Sequence, residues 1–175
     1  KADQKARQIA RRIKKDNPDA KVIVTGCYAQ TQPEILSKVT EIDGIYGISE
    51  RENISDWLPS VIKSTSQIVR VDSFPRKMRF NSESITDFEG KTRAFVKIQD
   101  GCNLRCTYCL IWKARGPARS RPIDDIIKQI EILENSGFIE LVLTGVNVGS
   151  YGSDFPLQVS LSQMLSIILP KFPNL

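Results

Sequence analysis

Histidine is absent from the chain, and only four cysteines occur in its 175 residues. No imidazole is on hand to complete a metal site. Four thiols are also too sparse for a disulfide scaffold. No apolar run reaches the roughly 18–20 residues of a membrane span. The opening segment "KADQKARQIARRIKK" has no apolar h-region, so it is not a secretory signal. It has no initiating Met either, and "LPKFPNL" closes the chain just after an apolar helical stretch. Both ends therefore read as cut from a longer protein. What is present is a 41% hydrophobic composition, enough for a sizeable core in one domain or two small ones. The formal net charge of +5 is compatible with an anionic partner, but only weakly diagnostic of one.

Apolar residues at Ala2, Ala6, Ile9, Ala10 and Ile13 recur at helical spacing, and Asn17-Pro18 ends that helix. "AKVIVTG" reads as a buried strand with Cys27 just past it, and "TQPEILSKV" opens a helix with Pro33 near its first turn. "GIYGIS" and "NISDWLPSVIKS" add a strand and a helix, so residues 1–63 predict a small, partial parallel α/β domain. Residues 64–90 turn polar and rich in Ser, Pro and Asn, and are read as a linker although "QIVRV" within them is strand-like. From residue 91 to 175 the order is strand ("TRAFVKIQ"), a long aperiodic stretch, helix ("RPIDDIIKQIEILENSG"), strand ("FIELVLTG"), loop ("GSYGSDFP") and helix. The first helix presents Ile123, Ile126, Ile127, Ile130 and Leu133 on one face. Such a β-α-β-α unit builds parallel sheets or barrels.

The aperiodic stretch after the first strand is far longer than the usual 2–6 residues of such a connection, which makes it a functional suspect. It begins "DGCNLRCTYC", so Cys102, Cys106 and Cys109 follow the spacing C-x3-C-x2-C. Three extended residues span at most about 10–11 Å, so thiolates sharing one centre require this loop to curl. Gly101 and Asn103 can supply the positive φ for such a curl. A structural zinc normally takes four ligands, often as two C-x2-C knuckles, and only one such pair is present. A cubane iron–sulfur cluster held by three thiolates fits better, since it leaves one iron open.

These motifs resemble those of a known family. C-x3-C-x2-C with Tyr108 before the last cysteine resembles the signature of radical S-adenosylmethionine (SAM) enzymes. "FVKIQDGCNLRCTYC", "ARGPARSRP", "ELVLTGVNVGSYG" and the upstream "VTGCYAQ" together resemble the methylthiotransferase family across nearly the whole chain. "LTGVN" resembles the branch acting on threonylcarbamoyladenosine beside the tRNA anticodon. The resemblance implies that residues 91–175 are the first βα units of a partial TIM-type barrel, truncated here. It implies that Cys102, Cys106 and Cys109 hold a [4Fe–4S] cluster whose vacant iron chelates SAM. Reductive cleavage of SAM then gives a 5′-deoxyadenosyl radical that takes hydrogen from C2 of the adenine. Tyr108 would line the adenosine site, and Thr144, Gly145 and Asn147 would contact the SAM amine, although the usual Gly-Gly-Glu is not spelled there. Locally, Cys27 reads as a small buried residue; by resemblance it is a ligand of a second, auxiliary [4Fe–4S] cluster.

The family usually shows a pattern like "CIIPYARG" after the last cysteine, whereas this chain has "CLIWKARG". Trp112 in place of the Pro side of that pattern is expected either to stack on a base or to pack under the loop. Lys113, Arg115, Arg119 and Arg121 form a basic run, read as phosphate contacts to tRNA or as a solvated loop. The implied partners are tRNA and an electron donor such as a flavodoxin or ferredoxin, with no membrane, in the cytoplasm. A ribosomal-protein methylthiotransferase and a zinc-stabilised nucleic-acid-binding module are the alternatives.

Overall fold

The computed structural model describes residues 2–75, 78–82 and 92–175. It divides into two compact units, one running to Phe74 with Lys113–Arg115, the other taking Pro75–Trp112 and Gly116–Leu175.

In the first unit the order is α1 (Ala2–Asp16), β1 (Ile23–Thr25), α2 (Cys27–Thr31), α3 (Pro33–Leu36), β2 (Gly44–Tyr46), a 3-10 turn, α4 (Ile54–Lys63) and β3 (Ile68–Arg70). The three strands pair in parallel in the order β1-β2-β3, as the α/β reading requires. Part of the stretch read as a linker belongs to this sheet: "QIVRV" supplies β3, whose backbone donors and acceptors are satisfied by β2. Residues 76, 77 and 83–90 of that stretch lie outside the described residues. Of the apolar stripe on α1, Ala10 is buried and Ala6 packs partly against the core, whereas Ile9 and Ile13 are exposed. The core forms around Leu36, Val39, Ile42 and Ile45. Beside it, the rings of Tyr46 and Trp57 stack at 3.7 Å between centroids, and Trp57 Nε1 donates to the Glu50 carbonyl.

Asp43 ties α1 to the sheet. Its carboxylate accepts from the Val22 amide at 2.7 Å and pairs with Lys14 at 3.0 Å and Lys21 at 3.5 Å. Burial pushes this carboxyl up, but the Val22 hydrogen bond and the two lysines outweigh it and hold the group below its ordinary value of 3.8.

From residue 94 onward the chain runs β4 (Ala94–Asp100), α5 (Ile111–Arg115, whose last three residues are grouped with the first unit), β5 (Arg119–Ser120), α6 (Ile123–Asn135), β6 (Leu141–Gly145), a 3-10 turn and α7 (Leu161–Ile168). β4 and β6 pair in parallel across the α6 crossover. The stretch that carries no period in the sequence contains two short elements, α5 and β5, and β5 pairs antiparallel with the end of β4. Ile126, Ile130 and Leu133 of α6 are buried with Ala94, Val96 and Ile98 of β4 and Met164 of α7; Ile123 and Ile127 pack only partly. Gln129 is buried too, a polar residue that the apolar period of α6 does not reveal. Ser160 caps α7 in a capping box with Gln163. The sheet is open among the described residues, which fits a partial rather than a closed barrel.

Replacing Asp43 with Asn is expected to lower the urea midpoint at neutral pH. Because the folded carboxyl titrates below its unfolded value, its contribution is complete above that value and disappears as pH falls through the folded one. The gap between wild type and variant should therefore close on acidification. A gap that stays constant to pH 3 would refute this role.

Candidate metal centre

The cysteine loop leaves β4 at its carboxyl end, where parallel α/β folds place their ligand sites. Alternation along β4 fails there: Ile98, Gln99 and Asp100 are all buried in succession. The cause is a shift in the register against β6 between Lys97 and Gln99. An extra residue of this kind re-aims the side chains that follow it.

Asp100, only 3% exposed, is the charged root of the loop. Its carboxylate accepts from Arg119 at 2.9 Å, Lys97 at 2.7 Å and the Gly101 amide at 2.8 Å. Burial pushes the carboxyl up, but Lys97, Arg119 and the Gly101 amide together outweigh it, and it lies below its ordinary range. Ser120, next to Arg119, is fixed in turn. Its amide and hydroxyl both donate to Asp154, at 3.0 and 2.6 Å, while its hydroxyl accepts from the Gly152 amide. Tyr151 donates its hydroxyl to the Arg121 carbonyl, and burial together with Asp154 pushes its phenol up to about 12. The two sides of the cysteine loop and the loop after β6 are thus fastened at one place.

Within the loop, Gly101 has φ 70°, and a Cβ there would lie 2.0 Å from the Pro117 carbonyl oxygen. No other residue fits. The Cys102 amide donates to the Gly116 carbonyl at 3.1 Å, and the Cys109 amide donates to the Cys106 carbonyl at 3.0 Å. Asn103 does not take the positive φ expected of it. Arg105 does, at 49°, and Asn103 instead accepts the Ala118 amide on its Oδ1 at 3.0 Å. All three cysteines are free thiols, Cys106 exposed and the other two half-buried. Among the described residues no three Cys, His, Asp or Glu side chains gather as ligands of one ion. One zinc would need its sulfurs within about 4 Å of each other, given Zn–S bonds near 2.3 Å. Thiolates are what hold iron–sulfur clusters, and three free, at least partly accessible thiols on one curled loop fit that group's chemistry.

The other expected site residues distribute unevenly. Thr144 and Gly145 end β6 opposite Lys97 and Gln99, and Asn147 follows, so all three share the carboxyl end of the sheet with the cysteine loop. Tyr108 is on the loop and 90% exposed. Cys27 is exposed at the first position of α2, which removes the reading of a small core residue. Trp112 is half-buried, with the Arg105 guanidinium 5.5 Å from its ring.

Two of the four basic residues expected to meet phosphate do not offer their charge to solvent. Arg119 is 6% exposed and bound to Asp100; Arg121 is 4% exposed. Burial lowers the Arg121 guanidinium from its usual value, Asp125 opposing, and its ring-side neighbour is Phe80 at 6.0 Å. A buried carboxylate requires a cation, and Arg119 meets that requirement. Lys113 is exposed and Arg115 half-buried.

Residues 96–166 match the Radical SAM superfamily model, a segment running from within β4 through α7 and including all three loop cysteines. The chain is 38% identical over 174 residues to a threonylcarbamoyladenosine tRNA methylthiotransferase MtaB of Rickettsia prowazekii, covering 99% of this chain and 40% of that protein. The Bacillus subtilis protein of the same name is 38% identical over 152 residues, 87% of this chain and 34% of its own length. The chain belongs to the radical SAM methylthiotransferase family. It spans about two-fifths or less of these relatives. A tRNA-2-methylthio-N(6)-dimethylallyladenosine synthase of Thermodesulfovibrio yellowstonii is also similar, 39% identical over 149 residues, 83% of this chain and 33% of that protein. Percentage identity alone thus does not separate the branches of the family.

Reading the sequence missed Gln99, Asp100 and the Ser120–Asp154 contact. The available signal was the polar pair Gln99-Asp100 closing an otherwise alternating strand, where a solvated end and a buried network look alike.

Replacing Arg119 with Met removes one cation from the buried Asp100 charge and leaves its pairing with Lys97 in place. A loss of about 3 kcal/mol is expected, at the low end of about 3–5 for breaking a buried pair. Asp100→Asn combined with Arg119→Met should cost less than Arg119→Met alone. Urea unfolding of these two variants and of Asp100→Asn alone checks this, and additive losses would refute the pairing.

Proposed function

We propose that this chain is the part of a tRNA methylthiotransferase that holds a [4Fe–4S] cluster on Cys102, Cys106 and Cys109 and binds SAM between that loop and the end of β6. The observation that carries the reading is the joint placement of three free thiols and of Thr144, Gly145 and Asn147 at one carboxyl end of a parallel strand pair. When bound, the cluster supplies the electron that cleaves the SAM sulfonium. The residues of the chain do the positioning. A cluster held by these three thiolates would keep one iron available to SAM. Tyr108, exposed on the loop, is assigned to the adenosine, and Thr144, Gly145 and Asn147, at and just after the end of β6, are assigned to the SAM amine.

The substrate proposed is threonylcarbamoyladenosine beside the tRNA anticodon, the nucleoside in the printed names of the Rickettsia and Bacillus relatives. Its methylthio group is added at C2 of the adenine. Cys27, exposed after β1, is proposed as a ligand of the auxiliary cluster. The electron donor is a small redox protein of the flavodoxin or ferredoxin class. Free thiols in this number suit the reducing cytoplasm. Among the described residues no helix is long and apolar enough to cross a membrane. With Arg119 and Arg121 turned inward, the phosphate contacts fall to Lys113 and Arg115.

Anaerobic reconstitution of the full-length protein tests the cluster. The triple variant Cys102→Ala, Cys106→Ala, Cys109→Ala is expected to lose about four irons per chain, and Cys27→Ala to lose a separate set. A colourless wild type with one zinc per chain would sink the reading in favour of a zinc-stabilised module. Lys113→Glu is expected to weaken tRNA binding and reduce the slope of log affinity against log salt by about one or more. An unchanged slope would remove Lys113 from the interface.

A further inference from the structure

Gln99 is fully buried, 0% exposed, and its amide is used on both sides. Nε2 donates to the carbonyl oxygens of Asp100 at 3.0 Å and Gly101 at 2.8 Å, the residues from which the cysteine loop departs. Oε1 accepts from the backbone amide of Asn147 at 2.8 Å, just beyond β6. The orientation of the side-chain amide is dictated by these partners, because two carbonyls require a donor and an N–H requires an acceptor. Gly145 stands opposite Gln99 in the parallel register, and a Cβ on it would lie 3.0 Å from both the Cβ and the carbonyl oxygen of Gln99. The register shift before Gln99 accounts for its inward direction.

We propose that Gln99 is a positioning residue that sets the spacing between the cysteine loop and the end of β6, and thereby the affinity for SAM rather than the assembly of the cluster. This rests on the reading of the cluster and SAM sites given above. If SAM is held between the cysteine loop and the end of β6, its fit would depend on how far apart those two segments are kept. The only side-chain amide that hydrogen-bonds to both, among the contacts described, is that of Gln99. Methionine has similar length and no hydrogen-bonding amide, so Gln99→Met removes the clamp while filling its space. Gln99→Glu keeps the acceptor for Asn147 and, when ionised, loses donation to the two carbonyls.

The experiment uses the full-length protein, reconstituted anaerobically. Iron and sulfide per chain report assembly, and a SAM titration of the electron paramagnetic resonance signal of the reduced cluster reports binding. Gln99→Met is expected to retain wild-type iron and to bind SAM about tenfold more weakly. Gln99→Glu is expected to fall between it and wild type. If Gln99→Met keeps wild-type SAM affinity and the wild-type spectral response, the proposal is overturned. If it does not fold, Gln99→Glu decides: loaded with iron and unimpaired in SAM affinity, it overturns the proposal. Loss of the cluster from both variants assigns Gln99 to assembly and also overturns it. A wild type that carries the cluster but shows no response to SAM defeats the parent reading instead.

Discussion

A carboxylate buried as deeply as that of Asp100 stays charged only if the fold brings cations and donors to it. Here they include Lys97 from three residues earlier in the strand, the Gly101 amide from the start of the loop, and Arg119 from β5. The Arg119 contact matters most for architecture. It joins the two ends of the cysteine loop, which are far apart in sequence, and does so where β4 and β5 also exchange backbone hydrogen bonds. A long loop with its ends so fixed has less conformational freedom left to lose when it curls around a ligand. The same contact explains why Arg119 is unsuited to nucleic acid: its charge is already neutralised, and withdrawing it would strand Asp100.

The register shift in β4 has a second consequence. It turns Gln99 inward at the point where the strand ends, beside the Asp100 and Gly101 carbonyls. A buried carbonyl without a donor is costly. The Gln99 amide satisfies both carbonyls and still reaches Asn147, which makes one side chain answer for the polar groups of two segments. Gly145 is part of the same solution, since a larger residue there would press on Gln99. Irregularity in the strand and the small residue on its neighbour are therefore a single structural fact.

Much of this was legible in the sequence because it is written in local signals. The α/β order, the parallel pairing of the strands and the cysteine loop follow from short β-branched runs, helix punctuation at Pro33, Pro122 and Gly137, and thiol spacing. The family follows from the motifs around Cys102 and Cys27. What stayed hidden depends on contacts between distant residues. β3 looked like an island in polar sequence because its partner, β2, lies more than twenty residues upstream. Arg119 and Arg121 looked like Lys113 and Arg115, since burial of a charge is decided by which acid lies opposite, and Asp100 is far back along the chain. Asn103 was a reasonable choice for a left-handed residue, yet its side chain serves better as an acceptor for Ala118, and Arg105 takes the unusual φ.

The two cysteine positions share a local design that can be argued within each unit separately. Cys27 follows β1 and Cys102 follows β4, each directly after a glycine of positive φ: Gly26 at 97° and Gly101 at 70°. A chain leaving the carboxyl end of a strand has to turn sharply if the next side chain is to sit at that end, and a left-handed residue makes the turn. The requirement differs in strength. A Cβ on Gly26 would meet nothing within 4 Å, so only its φ favours glycine, whereas a Cβ on Gly101 would collide with the Pro117 carbonyl as well. The dipeptide Gly-Cys thus has one geometric meaning in both places. At the loop of three cysteines it is enforced by packing against the Gly116–Pro117 backbone, and after β1 it is enforced by backbone conformation alone.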